Sequence, residues 1–376
     1  MHVAAAHARL GYFGMAGVAL ALTACPQLLD DDFRSRRGIG GPDADTSYAG
    51  SGGGGGSGGL GGASGAGGSG PADASSPDGA AGSAPSCGDG VLNQDELLVD
   101  CGGACPACNC EFGAFAQVGQ LTGLGSIGGE YGPALSPDGA TLYFSLAAGS
   151  AEDILVATRS GRSKAFSAAV ALPVINGSSL DGSPFVTSDD RTLLFFSDRA
   201  GGVGDRDLWM ATRPGPDSDF SAPLPIPGVN STSLDLLPEL SRDGLTLLFE
   251  SVRSGGSGSS DLWLAERSLP SGNFGTPRPL SELNTSGREE GFSLSGDQLT
   301  LVFSSNRGGS GMDLWVATRS AVGAPFGTPE PLAELNSAAA ELDPALSLDG
   351  REILFVSARS GADRIWHASR ECLTLQ

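Results

Sequence analysis

Basic residues are scarce. Among 376 residues the one lysine is Lys164, and histidine occurs three times, as His2, His7 and His367. That scarcity narrows the chemistry. No G-x-x-x-x-G-K-[ST] segment is present to cradle a phosphate, and no H-E-x-x-H pair to hold a catalytic zinc. There is no G-x-S-x-G, and with His2 and His7 in a leader segment, a Ser-His-Asp triad would depend on His367 alone. His367 aligns with Val156, Met210, Leu264 and Val316 of the repeats below, so it reads as a partly buried strand residue. Acids outnumber lysine plus arginine 43 to 22, for a net charge of −21. Such a chain repels nucleic acid and anionic headgroups, and neither is expected as a partner. No later apolar run is long enough to span a bilayer.

What is present divides the chain into four parts. Residues 1–24 read as a signal peptide: Arg9 gives a positive n-region, and an apolar run follows from Leu10 to Leu22. It ends in Leu22-Thr23-Ala24-Cys25, which resembles the lipobox of bacterial lipoproteins. The resemblance implies lipid on Cys25 and membrane attachment through that anchor only. Pro26, where an aspartate would imply inner-membrane retention, points to the outer membrane of the cell envelope. Residues 25–86 are a Gly/Ser-rich tether with nothing to form a core. A coil of that kind spans about 40 Å for about 60 residues.

Residues 87–109 hold a cysteine-rich module that resembles short modules of exported bacterial proteins. With Cys25 lipidated, Cys87, Cys101, Cys105, Cys108, Cys110 and Cys372 remain. Six cysteines in an oxidising compartment imply three disulfides. The expected set has one bridge from Cys110 to Cys372 and two within the module. A zinc site from Cys101, Cys105, Cys108 and Cys110 is the rival arrangement. Asp89, Asn93, Asp95 and Asp100 resemble a calcium loop with altered spacing, so calcium is the one cofactor left open. No metal site is assigned.

Internal repetition decides the fold of residues 110–376. Segments starting at Pro133, Pro184, Pro238, Phe292 and Pro344 align without gaps, 51, 54, 54 and 52 residues apart. Each runs through an A-L-S-P-D-G-type turn and a T-L-L-F strand to D-L-W or its equivalent. All four tryptophans share one position there. A Phe-to-Asn stretch closes each unit, ending at Asn176, Asn230, Asn284 and Asn336, where Asx-type turns are expected. The strands are apolar at successive positions, which suits sheets buried on both faces. These units resemble the TolB-like β-propeller repeat. The fold expected is all-β, a five-bladed propeller of four-stranded blades. The fifth unit lacks its outer strand, and Phe115 to Gly125 has the length to supply it.

Three residues before each inner strand stands an acid: Glu130, Asp181, Asp235, Glu289 and Glu341. Four b-to-c loops carry an arginine, Arg199, Arg253, Arg307 and Arg359, with Ala148 in the first. Their recurrence supports two readings, a brace repeated in each blade or a rim that binds a ligand. The leading expectation is a non-enzymatic, monomeric envelope lipoprotein that recognises a protein or glycan. The alternatives are a glycoside-processing enzyme using channel carboxylates, or a purely structural surface protein. Equal acids in every repeat argue against catalysis, which needs two carboxyls held at different pKa values.

Overall fold

In a computed structural model the described residues are 110–375 apart from 127 and 310. Of Cys110, Thr374 and Leu375 the backbone alone is described. The signal segment, the tether and the cysteine module, with Cys25, Cys87, Cys101, Cys105 and Cys108, lie outside the described residues.

Five four-stranded antiparallel sheets are arranged as the blades of a propeller. Blade 1 holds β3 (Gly129–Leu135), β4 (Thr141–Ala148), β5 (Ala151–Thr158) and β6 (Val170–Ala171). Blade 2 holds β7 (Asp181–Val186), β8 (Thr192–Ser197), β9 (Asp207–Thr212) and β10 (Leu224–Pro225). Blade 3 holds β11 (Asp235–Leu240), β12 (Thr246–Ser251), β13 (Asp261–Glu266) and β14 (Arg278–Pro279). Blade 4 holds β15 (Glu289–Leu294), β16 (Thr300–Ser305), β17 (Asp313–Thr318) and β18 (Glu330–Pro331). In blade 5, β19 (Glu341–Leu346), β20 (Glu352–Ser357) and β21 (Arg364–Ser369) are completed by β2 (Ala116–Gln120). The N-terminal strand thus closes the ring as the count of strands requires, with Ala116 opposite Ser369 and Gln120 opposite Trp366.

Successive apolar residues have a direct cause. Leu193 and Phe195 of β8 enter a core with Tyr143, Ile154 and Val156 of blade 1. Leu194, on the other face, packs with Leu247, Phe249 and Trp263 of blade 3. Each interface between neighbouring blades holds one such core. Every middle strand therefore faces two cores and needs apolar side chains on both sides.

Two local differences from the sequence reading emerge. Four inner strands begin at the acid and β3 one residue before it, not at the proline, and each is kinked between the two. The residue before the proline position is in the left-handed region in every blade: Gly132, Ser183, Leu237, Gly291 and Asp343, at φ 45–51°. The register shifts at this point in all five sheets. Outer strands β6, β10, β14 and β18 are two residues long, and three end on proline: Pro225, Pro279 and Pro331. Proline has no N–H to offer a further strand, which blunts the outer edge.

Beside the ring, β1 (Cys110–Phe112) and β22 (Cys372–Leu375) form a two-stranded ribbon. Its register sets Phe112, and not Cys110, opposite Cys372. Cys372 is disulfide-bonded. The expected bridge to Cys110 falls on a side chain outside the described residues.

Candidate functional site

Four of the five repeated acids are braces. The Asp181, Asp235, Glu289 and Glu341 side chains are fully buried. They meet Arg199 at 2.5 Å, Arg253 at 2.5 Å, Arg307 at 3.3 Å and Arg359 at 2.9 Å. Each guanidinium also donates to a strand-end serine and to a carbonyl of the preceding connection, as Arg253 does to Ser251 at 3.0 Å and Val229 at 2.7 Å. It stacks on a phenylalanine and a tryptophan as well: Arg253 lies 4.8 Å from the Phe249 ring and 5.3 Å from Trp263. The acid in turn accepts the backbone N–H four residues before it. Each buried carboxyl is thus met by a guanidinium and a backbone N–H in place of water. These residues form no exposed rim.

Glu130 departs from the pattern for a structural reason. The repeated asparagines pair with the backbone of the third strand and do not close Asx turns: Asn176 accepts from the Ile154 N–H at 2.9 Å and donates to its carbonyl at 2.8 Å. In the closing strand the corresponding residue is Gly125, which has no side chain. Glu130, which makes no arginine pair among the described residues, accepts the Ser126 hydroxyl and the equivalent Ile365 N–H, the latter at 2.9 Å.

A second arginine set braces the opposite face. Arg159, Arg213, Arg267, Arg319 and Arg370 donate through Nε to carbonyls of the a-to-b turns, all at 2.7 Å. They stack on Phe166, Phe220, Phe274, Phe326 and Phe115 at 4.3–4.7 Å. The A-x-R ending of each repeat and its opening phenylalanine are the sequence signals of this clamp.

The channel is different. Two cavities lie along it, of about 60 Å³ on the side of the b-to-c loops, here called upper, and about 70 Å³ on the side of the a-to-b turns. They share a collar of one residue per blade: Leu135, Phe185, Glu239, Ser293 and Leu346. Glu239 is buried, and desolvation pushes its carboxyl up to about 8 against the opposing pull of the Leu294 N–H. That N–H donates to Glu239 Oε1 at 2.8 Å. In the next blade Ser293 makes the corresponding bond to the Leu346 N–H at 3.0 Å with a hydroxyl alone. A carboxyl is therefore more than the bond requires.

Asp343 lines the upper cavity with Glu239. Its Oδ2 accepts the Gly132 N–H at 3.0 Å, so a neighbouring blade holds the carboxylate. On the other side it lies against Gly291, where an added Cβ would come within 2.8 Å of Asp343 Oδ1 and Cα. Gly291→Ala, which also puts a side chain at φ 45°, is expected to displace the Asp343 carboxylate at a cost of about 1–3 kcal/mol. Denaturant unfolding checks the cost; a variant as stable as wild type would show that the packing is slack.

Non-repeated polar groups gather at the upper end of the inner strands. Ser260 donates to Glu250 at 2.6 Å, and Arg288 pairs with Glu290. The Tyr131 hydroxyl donates to Asp363, and Glu152 lies against Gly182. Nearby, burial first and the Asp181 charge second raise the Asp153 carboxyl, and Asp313 is raised likewise beside Glu341. Among the described residues no cluster of His, Cys, Asp or Glu is arranged to hold a metal ion. His367 lies half-buried on β21, opposite Gly119. Sequence reasoning passed over Glu239 and Asp343. Their signal was departure from the repeat: Glu239 stands where the other blades have Ala134, Phe185, Ser293 and Ala345.

No family model and no curated protein matches the chain. Solved structures do. A putative TolB from Agrobacterium tumefaciens is 17% identical over 61% of this chain and 69% of that one, with a TM-score of 0.40. An endo-arabinase from Bacteroides thetaiotaomicron is 16% identical over 69% and 98%, with a TM-score of 0.46. An α-L-arabinofuranosidase from Podospora anserina, solved with cellotriose, is 14% identical over 67% and 95%, with a TM-score of 0.44. Likeness at this level bears on fold alone. It still corrects one expectation, that the chain is no enzyme. Glycoside hydrolases, a thermostable family-43 enzyme included, are among the solved structures the chain is similar to. The equality of the repeated acids, the ground for that expectation, does not extend to Glu239 and Asp343. The chain is thus a five-bladed β-propeller, similar in fold both to TolB and to glycoside hydrolases.

Proposed function

We propose that the chain acts on glycosides, with Glu239 as proton donor and Asp343 as the second carboxyl of the upper cavity. The observation that carries this is Glu239 itself: a buried carboxyl that desolvation pushes up to about 8, at a channel position unlike the same position in any other blade. Glycoside hydrolysis needs two carboxyls in different states. One gives its proton to the leaving oxygen as the C–O bond breaks. The other faces the positive charge that develops on the sugar ring. The Gly132 N–H holds the Asp343 carboxyl at the cavity wall, which places it for the second role. An upper cavity of about 60 Å³ is far below the roughly 300 Å³ of sites that engulf a small molecule. The substrate is therefore met at the upper mouth, among Glu152, Arg288 and Tyr131, and only its reacting end reaches the acids. An envelope site fits this reading: lipid on Cys25 at the outer membrane would hold the disc, and the tether would let it reach a polymer.

The test is release of reducing sugar from a panel including arabinan, xylan, cello-oligosaccharides and aryl glycosides. Turnover of at least one is expected, with Glu239→Gln lowering kcat by about 10²–10⁴-fold, the usual worth of a general acid. No release across the panel, or a variant as active as wild type, would defeat the proposal.

A further inference from the structure

We propose that Glu239 exchanges its proton through the lower cavity, from the face of the disc opposite the one that meets substrate. The collar carries the inference. Its five residues line both cavities, and Glu239 is the one among them that ionises. The same carboxyl therefore borders both chambers. Charged groups near it are few. Asp343 lines the upper cavity and Arg242 the lower, and neither lines both. The strand beside β11 contributes a backbone N–H, from Leu294, which cannot relay a proton onward without breaking its bond.

The lower cavity has the means to conduct. A volume of about 70 Å³ exceeds what one water needs several-fold. Ser188 and Ser293, with Glu239, offer polar partners for a short file of water, while the Ser241 and Ser295 hydroxyls in the same wall are held by Asp243 and Asp297. The consequence for turnover rests on the glycoside reading. With substrate across the upper mouth, a Glu239 that has given its proton to the leaving oxygen is a buried anion cut off from solvent above. One proton then enters from solvent at the lower mouth, passes along the water file and restores the carboxyl. The attacking water loses one proton in the same turnover, which Asp343 accepts and releases to solvent at the upper mouth as product leaves, so the protons balance.

The route is tested without substrate. Infrared spectroscopy of the full chain should show the carbonyl stretch of a protonated carboxyl that disappears in Glu239→Gln. After mixing into deuterated water, the rate at which this band shifts reports proton exchange at Glu239. Ser188→Trp places a bulky ring at the lower mouth, and exchange is then expected to slow about tenfold or more, because it must await local opening. Leu348→Trp, at the same mouth in another blade, serves if the first variant does not fold. Unchanged exchange in the folded variants overturns the route, as does absence of the band in wild type. Since no turnover is measured, an active glycosidase with unblocked exchange would sink the route while leaving the role of Glu239 intact.

Discussion

Replacing Glu239 by glutamine is expected to stabilise the protein in alkaline solution and leave it nearly unchanged in acid. The folded state raises this carboxyl from 4.5 to about 8. Between those values the native chain still holds a proton that the unfolded chain has released. Stability linked to the group is then complete below about pH 4.5, falls as pH rises, and is fully lost above about pH 8. The span corresponds to about 5 kcal/mol as an upper bound, at about 1.4 kcal/mol per pH unit. Glutamine keeps an oxygen for the Leu294 N–H and never ionises, so it escapes the loss. Urea unfolding of both proteins near pH 5 and near pH 8.5 measures the difference directly. A gap that is the same at both values, or that favours wild type at the higher one, would show that Glu239 ionises freely in the fold.

The second large effect is destructive. Arg253→Met removes the partner of Asp235, whose side chain has no exposure. Breaking a buried pair from one side costs about 3–5 kcal/mol, because the remaining charge has lost its compensation. The stack over Phe249 and Trp263 weakens as well. A fall in Tm on the order of 10 °C is expected for a domain of this size. Adding Asp235→Asn should recover part of it, since the stranded charge is then gone. Arg278→Met is the contrast. Its contact with Glu266 is 3.8 Å long with both side chains more than half exposed, so it should shift stability by less than about 1 kcal/mol. A melting temperature for Arg253→Met within about 1 °C of wild type would mean that the repeated acids are not braces.

The frame was legible in the sequence because its causes recur. Strands facing two cores must be apolar on both sides, so T-L-L-F and D-L-W repeat in register and the blades can be counted. The missing outer strand of the last blade, and the stretch from Phe115 that fills it, followed from that count. The same recurrence misdirected the search for a site. Asp181, Asp235, Glu289 and Glu341 stood out because they repeat, and they repeat because each blade needs the same arginine brace. Glu239 and Asp343 were hidden inside P-E-L-S and D-P-A-L-S, segments that align well with their counterparts. Nothing local distinguishes a carboxyl that points into a channel from one in water. The kink that aims these residues inward was not legible either, since Ser183, Leu237 and Asp343 adopt a left-handed conformation that glycine would normally mark.

The strand that closes the ring also fixes an order of assembly. In blades 1 to 4 each strand pairs with one made just before or after it, and such hairpins can form as soon as both halves exist. β2 has no partner until β21 is present: Ala116 sits opposite Ser369, and the intervening chain is four blades and most of a fifth. The earliest strand of the disc is therefore the last to be seated. Until then blade 5 exposes the edge of β21, and the core between blades 4 and 5 lacks Phe115 and Val118. An incomplete disc presents one adhesive edge and one unfilled hollow together, which is where a chaperone would find it or a second copy would lend its own strand.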